Sequence, residues 1–123
     1  MNLRVGVDMI EIERIERAAV RHGERFYRRF FTEQERAICQ DQPRRLAARV
    51  AAKEAVAKAF GTGIGDMRWV EIEIVQDARG RPEVRLHGDA ANLAESMGLT
   101  HWEISMSHTQ DHAIAFAVAT GEG

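Results

Sequence analysis

The 123-residue sequence has few of the residues that mark several protein classes. It contains one cysteine, Cys39, which excludes an intrachain disulfide. It has no apolar run of membrane-spanning length and no apolar leader segment, so we expect a cytoplasmic protein without a membrane partner. Repeats, low-complexity tracts and linkers are also missing. The length therefore indicates a single domain over residues 1–123, whose small core would gain from oligomerisation.

Two further shortages concern nucleic acids and zinc. The net charge is −2 and aromatic residues make up 7% of the chain, so the composition indicates neither a general attraction to polyanions nor a base-stacking surface. Five histidines occur without a cysteine cluster, which argues against a structural zinc site. We expect no nucleic acid partner. A nucleic-acid binder that uses clustered arginines is the alternative, and steep salt dependence of oligonucleotide binding would reveal it.

The alanine-rich segment at residues 48–65 has more ionisable groups than a packing helix needs. Glu54 and Lys58 are four residues apart, in the order that favours an ion pair on a helix. Arg49 and Lys53 form a basic pair at the same spacing. The small alanines would let a large ligand approach the helix. A site for a metal and phosphate has these features, although Glu–Lys pairs are also common on solvated helix faces.

Polar residues also mark both ends of the chain. Residues 3–7 alternate as in a strand, and Asp8 stands where the pattern changes to a helical period. An acid there either caps the following helix or is a hard oxygen ligand for a divalent cation. Residues 102–118 are typical of two strands joined by a polar turn, with Ser107, His108 and Thr109 at its mouth. A histidine in such a turn is usually solvated.

Together these segments resemble the holo-acyl-carrier-protein synthase family of 4'-phosphopantetheinyl transferases, over nearly the whole chain. The motifs are Gly6-Val7-Asp8, the phrase from Arg49 to Ala55 continued through Lys58 to Gly65, and Ser105-Met106-Ser107-His108-Thr109. Two positions depart from the family pattern. Val50 replaces an aromatic residue, and His112 stands where Tyr is frequent. Both concern packing or the pocket rim, so they bear on substrate preference rather than on the reaction.

The resemblance implies a Mg2+-dependent transfer of 4'-phosphopantetheine from coenzyme A to a serine of apo acyl carrier protein, in fatty acid biosynthesis. It implies that Asp8 and Glu54 bind the metal, and that Glu54, Lys58 and Asp8 are catalytic. The residues implied for coenzyme A are Arg49, Lys53, Lys58, Gly61, Gly63, His108 and Thr109. It also implies a homotrimer with sites between subunits. The glycines of residues 61–65 have a simpler interpretation as a helix C-cap and turn.

Arginines concentrate in the first third of the chain. Arg14, Arg17 and Arg21 recur at helical spacing on one face, which would suit a compact acidic partner such as acyl carrier protein. The alternative is a solvated charged face, softened by neighbouring glutamates. A non-catalytic binding module that uses this face is the competing function, and it would need neither coenzyme A nor Mg2+.

The remaining patterns predict an α+β domain in which helices cover an antiparallel sheet. Thr32 to Glu35 has the form of a capping box and starts a helix through Cys39. A long helix is expected over about residues 44–60, followed by strands at 70–74 and 83–86 joined by a turn. A short helix over residues 89–97 buries Leu93 and Met97 and stops at Gly98. Two further strands end the chain.

Overall fold

The computed structural model describes residues 1–65 and 67–122 of the chain. Five strands and five α-helices follow the order β1 (Asn2–Glu11), α1 (Ile12–His22), α2 (Glu24–Phe30), α3 (Glu33–Cys39), α4 (Pro43–Phe60), β2 (Ile72–Gln76), β3 (Pro82–Leu86), α5 (Gly88–Ser96), β4 (His101–His108) and β5 (His112–Gly121). A 3-10 turn, Trp69–Glu71, precedes β2. This is the expected α+β architecture.

The strands form two antiparallel sheets rather than one. The larger has the order β1-β5-β4, and the smaller is the hairpin of β2 and β3. Every residue of β1 has a partner on β5, from Asn2 opposite Gly121 to Glu11 opposite His112. This continuous pairing keeps the chain extended to Glu11, four residues beyond the expected end of the strand at residue 7.

Helix α4 is enclosed on nearly all sides, and most of its 18 residues are buried. Its first half packs against α1, α2 and α3, and its second half packs against the strands and α5. The alanines thus form close contacts inside the protein, whereas the sequence indicated that they thin a ligand-binding surface. That expectation was wrong because α4 is a central helix rather than a surface one.

A glycine sets the approach of β1 to α4. A Cβ atom at Gly6 would lie 1.9 Å from the carbonyl oxygen of Ala55, so a larger residue would force the strand and the helix apart. Two residues earlier, the Arg4 guanidinium donates hydrogen bonds of 3.0 Å to the carbonyl oxygens of Ala59 and Phe60. These contacts fix the last turn of α4 against β1 and satisfy carbonyls that a helix end leaves free.

Several local predictions are confirmed. Thr32 and Glu35 form the capping box of α3, which ends at Cys39 as expected. Helix α4 begins at Pro43, within a residue of its predicted start. The hairpin of β2 and β3 and the two final strands are present. Helix α5 begins at Gly88 and buries Ala90 and Ala94 most deeply, while Leu93 and Met97 pack at the edge of the same cluster.

The start of β2 differs from the prediction. Residues 69–71 form the 3-10 turn, so the strand begins at Ile72 instead of residue 70. Ile72 to Val75 are all buried, because the strand is covered on both faces. No α-helix within residues 1–65 and 67–122 has both the length and the hydrophobicity required to cross a membrane.

The outward face of the larger sheet is apolar. The outward side chains of β1 are 47–63% exposed, and their neighbours on β5 are similarly exposed; they are Leu3, Val5, Val7, Met9, Ile114 and Phe116. The register places Val7 opposite Phe116 and Met9 opposite Ile114, so these side chains form a continuous patch. Contiguous apolar patches of this kind mark interaction surfaces.

Candidate active site

Asp8 projects from the inward face of β1 toward the last turns of α4. The Lys58 ammonium donates to Asp8 Oδ1 at 3.0 Å and to the Val7 carbonyl oxygen at 3.1 Å. The Asp8 side chain is 19% exposed and that of Lys58 is 52% exposed. The N-cap of α1 is Glu11, where no side chain forms a capping hydrogen bond. Asp8 is therefore not a helix cap, and its carboxylate faces a cleft.

Glu54 lies one helical turn before Lys58 and lines the same cleft as Asp8, with a volume of about 590 Å³. Among the described residues, no cation lies within 4 Å of the Glu54 carboxylate, because Lys58 pairs with Asp8 instead. Burial raises the pKa of Glu54, the negative charge of Asp8 raises it further, and Lys58 opposes both effects. Two carboxylates thus share a partly enclosed space, and the Lys58 ammonium binds one of them.

The walls of this cleft, which we call the acidic cleft, combine cationic and aromatic side chains. Arg14, His22 and Arg29 supply positive or titratable groups, while Phe26, Phe30 and Trp69 form an aromatic wall. The rings of Phe30 and Trp69 lie 4.7 Å apart between centroids. No pattern in the sequence indicates a role for His22, Arg29 or Trp69. Trp69 in particular is far from Glu54 in sequence and belongs to no motif.

A second cleft, of about 390 Å³, contains Arg49 and His108. Arg49 is 7% exposed, and its Nε atom is buried without a hydrogen-bond partner among the described residues. Arg45 and Ser107 line the same cleft. An arginine with an unused donor beside a histidine and a second arginine is suited to binding an anion. We call this the basic cleft.

The acidic and basic clefts lie on different sides of α4. Glu54 follows Arg49 by five residues, which corresponds to a rotation of about 140° around the helix. The described chain therefore brings Asp8, Glu54 and Lys58 together. Arg49 and His108 lie together as well, but in the basic cleft and not in the acidic one.

Lys53 does not reach either cleft. Its side chain is fully buried, and its ammonium donates to Glu35 Oε1 at 2.8 Å and to the Trp69 carbonyl oxygen at 3.0 Å. Burial lowers the pKa of Lys53, and the Glu35 carboxylate offsets part of that effect. The geometry contradicts the prediction that Lys53 binds a coenzyme A phosphate, because the ammonium is enclosed and already has partners.

The remaining implied residues lie in two turns. Gly61 and Gly63 follow α4 with φ angles of 87° and 67°, and Gly61 is the helix C-cap. The Thr109 hydroxyl accepts hydrogen bonds from the backbone N–H groups of Asp111 and His112, at 3.2 and 3.1 Å. Thr109 thus shapes the turn between β4 and β5 that follows His108.

The three arginines proposed for docking have different surroundings. Arg14 lines the acidic cleft, beside Asp8 and Glu54. Arg17 forms an exposed ion pair of 2.7 Å with Glu13, one turn earlier on α1. Arg21 is exposed in the last turn. Arg14 is therefore the member of this group that adjoins the candidate active site.

Comparison with known proteins identifies close relatives. Residues 4–117 match the 4'-phosphopantetheinyl transferase superfamily. The holo-acyl-carrier-protein synthase of Herpetosiphon aurantiacus is 48% identical, with 97% of this chain and 99% of that protein covered. The crystal structure of the Helicobacter pylori holo-acyl-carrier-protein synthase with coenzyme A is 29% identical and has a TM-score of 0.87 over 94% of this chain and 99% of that one. The Chronobacterium ammoniagenes ACPS–CoA complex is 31% identical, with a TM-score of 0.87 and both chains fully covered.

The electrostatic coupling within the acidic cleft yields a prediction that does not depend on activity. Asp8→Asn should lower the pKa of Glu54, because it removes a negative charge that disfavours ionisation. Lys58→Met should raise it, because it removes a compensating positive charge. Carboxyl-carbon NMR titration of Glu54 in each variant measures both shifts. A Glu54 pKa that stays unchanged in both variants would mean that these charges do not share a site.

Proposed function

The chain belongs to the 4'-phosphopantetheinyl transferase superfamily, and from this premise we infer that it is a holo-acyl-carrier-protein synthase. It transfers the 4'-phosphopantetheine arm of coenzyme A to a serine hydroxyl of apo acyl carrier protein. The serine oxygen forms a bond to the phosphorus that carries the arm. The bond from that phosphorus to the bridging oxygen breaks, and adenosine 3',5'-bisphosphate leaves.

The observation that carries this proposal is the placement of Asp8 and Glu54 in the acidic cleft, with the Lys58 ammonium bound to Asp8. Phosphoryl transfer depends on positioning and on neutralising negative charge. Two carboxylates that face each other across a cleft favour a divalent cation, and the adjacent ammonium can meet a phosphate. An ordinary surface ion pair does not explain this arrangement. Glu54 is half-buried without a cation at ion-pair distance among the described residues, and the nearby Asp8 carboxylate adds to the effect of burial in raising its pKa.

The residues fit a magnesium ion. Asp8 and Glu54 supply hard oxygen ligands, and their mutual repulsion is the kind of field that a cation relieves. Within the described residues no group of three histidine, cysteine or acidic side chains could hold a metal. Mg2+ usually takes one or two carboxylates from a protein and completes its coordination shell with water and substrate phosphates, so a pair of carboxylates is sufficient. Bound there, the ion would supply positive charge to the pyrophosphate oxygens.

The chain's own groups would then divide the remaining work. Glu54 accepts the serine proton, because its half-buried carboxylate lies in the cleft and has no cation within ion-pair distance among the described residues. Lys58, half exposed at the cleft edge, stabilises the charge that develops on the leaving phosphate. Asp8 keeps Lys58 oriented through their 3.0 Å ion pair, and together with Glu54 it would hold the metal.

We propose that Arg49 and His108 bind phosphates at the nucleotide end of coenzyme A. The unused Nε donor of Arg49 in the basic cleft supports this assignment. Thr109 would hold the turn that presents His108, and the loop with Gly61 and Gly63 would let backbone approach the nucleotide. Because the basic and acidic clefts lie on different sides of α4, one molecule of coenzyme A would reach both across a subunit boundary.

A homotrimer would provide that boundary. The apolar outward face of β1 and β5 supports self-association, since it leaves six large hydrophobic side chains 42–63% exposed in the single chain. Asp8 is flanked along β1 by Val7 and Met9 of this face, so a neighbouring subunit seated there would lie beside the acidic cleft. We propose that residues 1–123 act as one transferase domain in this assembly.

The carrier protein would dock on α1 beside the acidic cleft. Arg14 supports this assignment, because it adjoins Asp8 and Glu54 and would direct an acidic helical surface to the catalytic groups. Arg17 and Arg21 extend the same face, although Arg17 is already paired with Glu13. We place the reaction in the cytoplasm and in fatty acid biosynthesis.

Replacing Glu54 tests the mechanism. Glu54→Gln keeps the shape of the side chain but removes its charge and basicity, so we expect turnover to fall by about 10²-fold or more. The rate is measured as conversion of apo to holo acyl carrier protein with coenzyme A and Mg2+, and circular dichroism verifies the fold. Near-normal turnover in a folded Glu54→Gln protein would remove Glu54 from the mechanism.

Charge reversal at Arg14 tests the docking surface. Arg14→Glu should raise the KM for apo acyl carrier protein by about tenfold and leave the KM for coenzyme A nearly unchanged, because it opposes an acidic partner. Arg79→Glu, in the exposed turn before β3, is the matched control for the charge change. Equal changes in both KM values, or equal effects of the two variants, would place docking elsewhere.

A charge on the apolar face tests the trimer. Val5→Asp should shift the mass measured by sedimentation velocity from trimer to monomer, because burying an unpaired carboxylate in an interface is unfavourable. Val20→Asp introduces the same charge at a residue that is 88% exposed on α1 and should leave the trimer intact. A monomeric parent protein, or a Val5→Asp variant with the parent's mass, would contradict the assembly.

A further inference from the structure

Lys53 has a fully buried ammonium group that the proposed mechanism does not use. Its side chain and that of Glu35 are both fully buried, and they form an ion pair of 2.8 Å. A buried charge pair is no assured gain in stability, since the loss of hydration can exceed the attraction. An apolar residue could fill this position in the core without the free-energy cost of burying a charge. The pair therefore needs an explanation beyond packing.

Glu35 connects three parts of the chain. Its Oε1 atom accepts hydrogen bonds from the Thr32 backbone N–H at 2.9 Å and from the Lys53 ammonium at 2.8 Å. Its Oε2 atom accepts the Ile74 backbone N–H at 2.8 Å. One carboxylate thus joins the start of α3, the middle of α4 and strand β2.

Lys53 extends this network to the acidic cleft. Its second hydrogen bond goes to the carbonyl oxygen of Trp69, whose side chain lines the cleft and packs against Phe30. Lys53 also directly precedes Glu54 in α4, so the rotation of the helix that seats the ammonium against Glu35 also directs Glu54 into the cleft. The network therefore holds one wall of the cleft and one of its carboxylates at the same time.

We propose that Lys53 and Glu35 are positioning residues for the transfer reaction, which fix Glu54 relative to the Trp69 wall of the acidic cleft. The inference rests on the proposed function. Neither residue touches the reacting atoms; both act through Glu54 and Trp69. A misplacement of about 1 Å at a catalytic group can reduce a rate by about 10²-fold.

The test separates positioning from stability by comparing single and double variants. Lys53→Met leaves the buried Glu35 carboxylate without a counter-charge, and Glu35→Gln leaves the buried Lys53 ammonium without one. The Lys53→Met/Glu35→Gln double variant has no buried charge at this place and should be more stable than either single variant. Val56→Ala is the matched control, because Val56 is fully buried on the same helix and has no part in the network. All proteins are assayed below their melting temperatures for kcat and KM with coenzyme A and apo acyl carrier protein.

We expect the double variant to melt near the Val56→Ala control and still to lose about 10²-fold in kcat, with KM for coenzyme A changed by less than about threefold. Val56→Ala should lose stability and retain the parent kcat. In a Trp102→Phe background, where Trp69 is the one remaining tryptophan, Lys53→Met/Glu35→Gln should also shift the Trp69 emission. This readout is independent of turnover.

Two outcomes would overturn the inference. A double variant with parent kcat and unchanged Trp69 emission would show that the pair has no positioning role. A Val56→Ala variant with an equal loss of kcat would show that general destabilisation explains the effect. Failure of the proposed function is distinguishable, since the parent protein itself would then leave apo acyl carrier protein unmodified, and the positioning role would fall with it.

Discussion

The enclosure of helix α4 is the constraint on which the rest of this structure depends. The helix buries most of its residues, yet it must also present Glu54 to one cleft, Lys58 to the Asp8 carboxylate and Arg49 to a second cleft. Alanines and the close approach at Gly6 make the burial possible. The buried Lys53–Glu35 pair then sets the rotation of the helix, because an unpaired ammonium there would cost about 3–5 kcal/mol. Without this pair, the small alanine side chains would not fix the rotation of α4 about its own axis.

This rotation determines the electrostatics of the acidic cleft. Lys58 reaches across to Asp8 on β1 rather than back along its own helix to Glu54. Burial raises the pKa of Glu54, the neighbouring Asp8 carboxylate raises it further, and Lys58 opposes both effects. Repulsion between the Asp8 and Glu54 carboxylates is unfavourable in the empty cleft, and it favours the binding of a cation, which can in turn bind a phosphate. The site forms only where β1 and α4 pack together, because β1 supplies Asp8 and α4 supplies Glu54 and Lys58.

The sequence predicts local features well and long-range ones poorly. The capping box at Thr32 and Glu35 is recognisable because its members are three residues apart. The further role of Glu35 is hidden, because Lys53 and Ile74 lie 18 and 39 residues away. Asp8 was expected at the end of a strand, but β1 continues to Glu11 because β5 pairs with each of its residues. Arg49 and Lys53 have the spacing of one helical face, and only tertiary packing shows that Lys53 is enclosed.

Metal-dependent transfer of a phosphopantetheine arm is the central claim, and intact-mass spectrometry of an apo acyl carrier protein tests it most directly. The carrier is incubated with this protein, coenzyme A and Mg2+, with parallel samples that contain EDTA or a carrier whose acceptor serine is replaced by alanine. We expect a mass gain of one phosphopantetheine arm that is absent from both controls. An unmodified carrier in the presence of the folded protein, or a gain that persists with EDTA, would contradict the metal-dependent reaction assigned to Asp8 and Glu54.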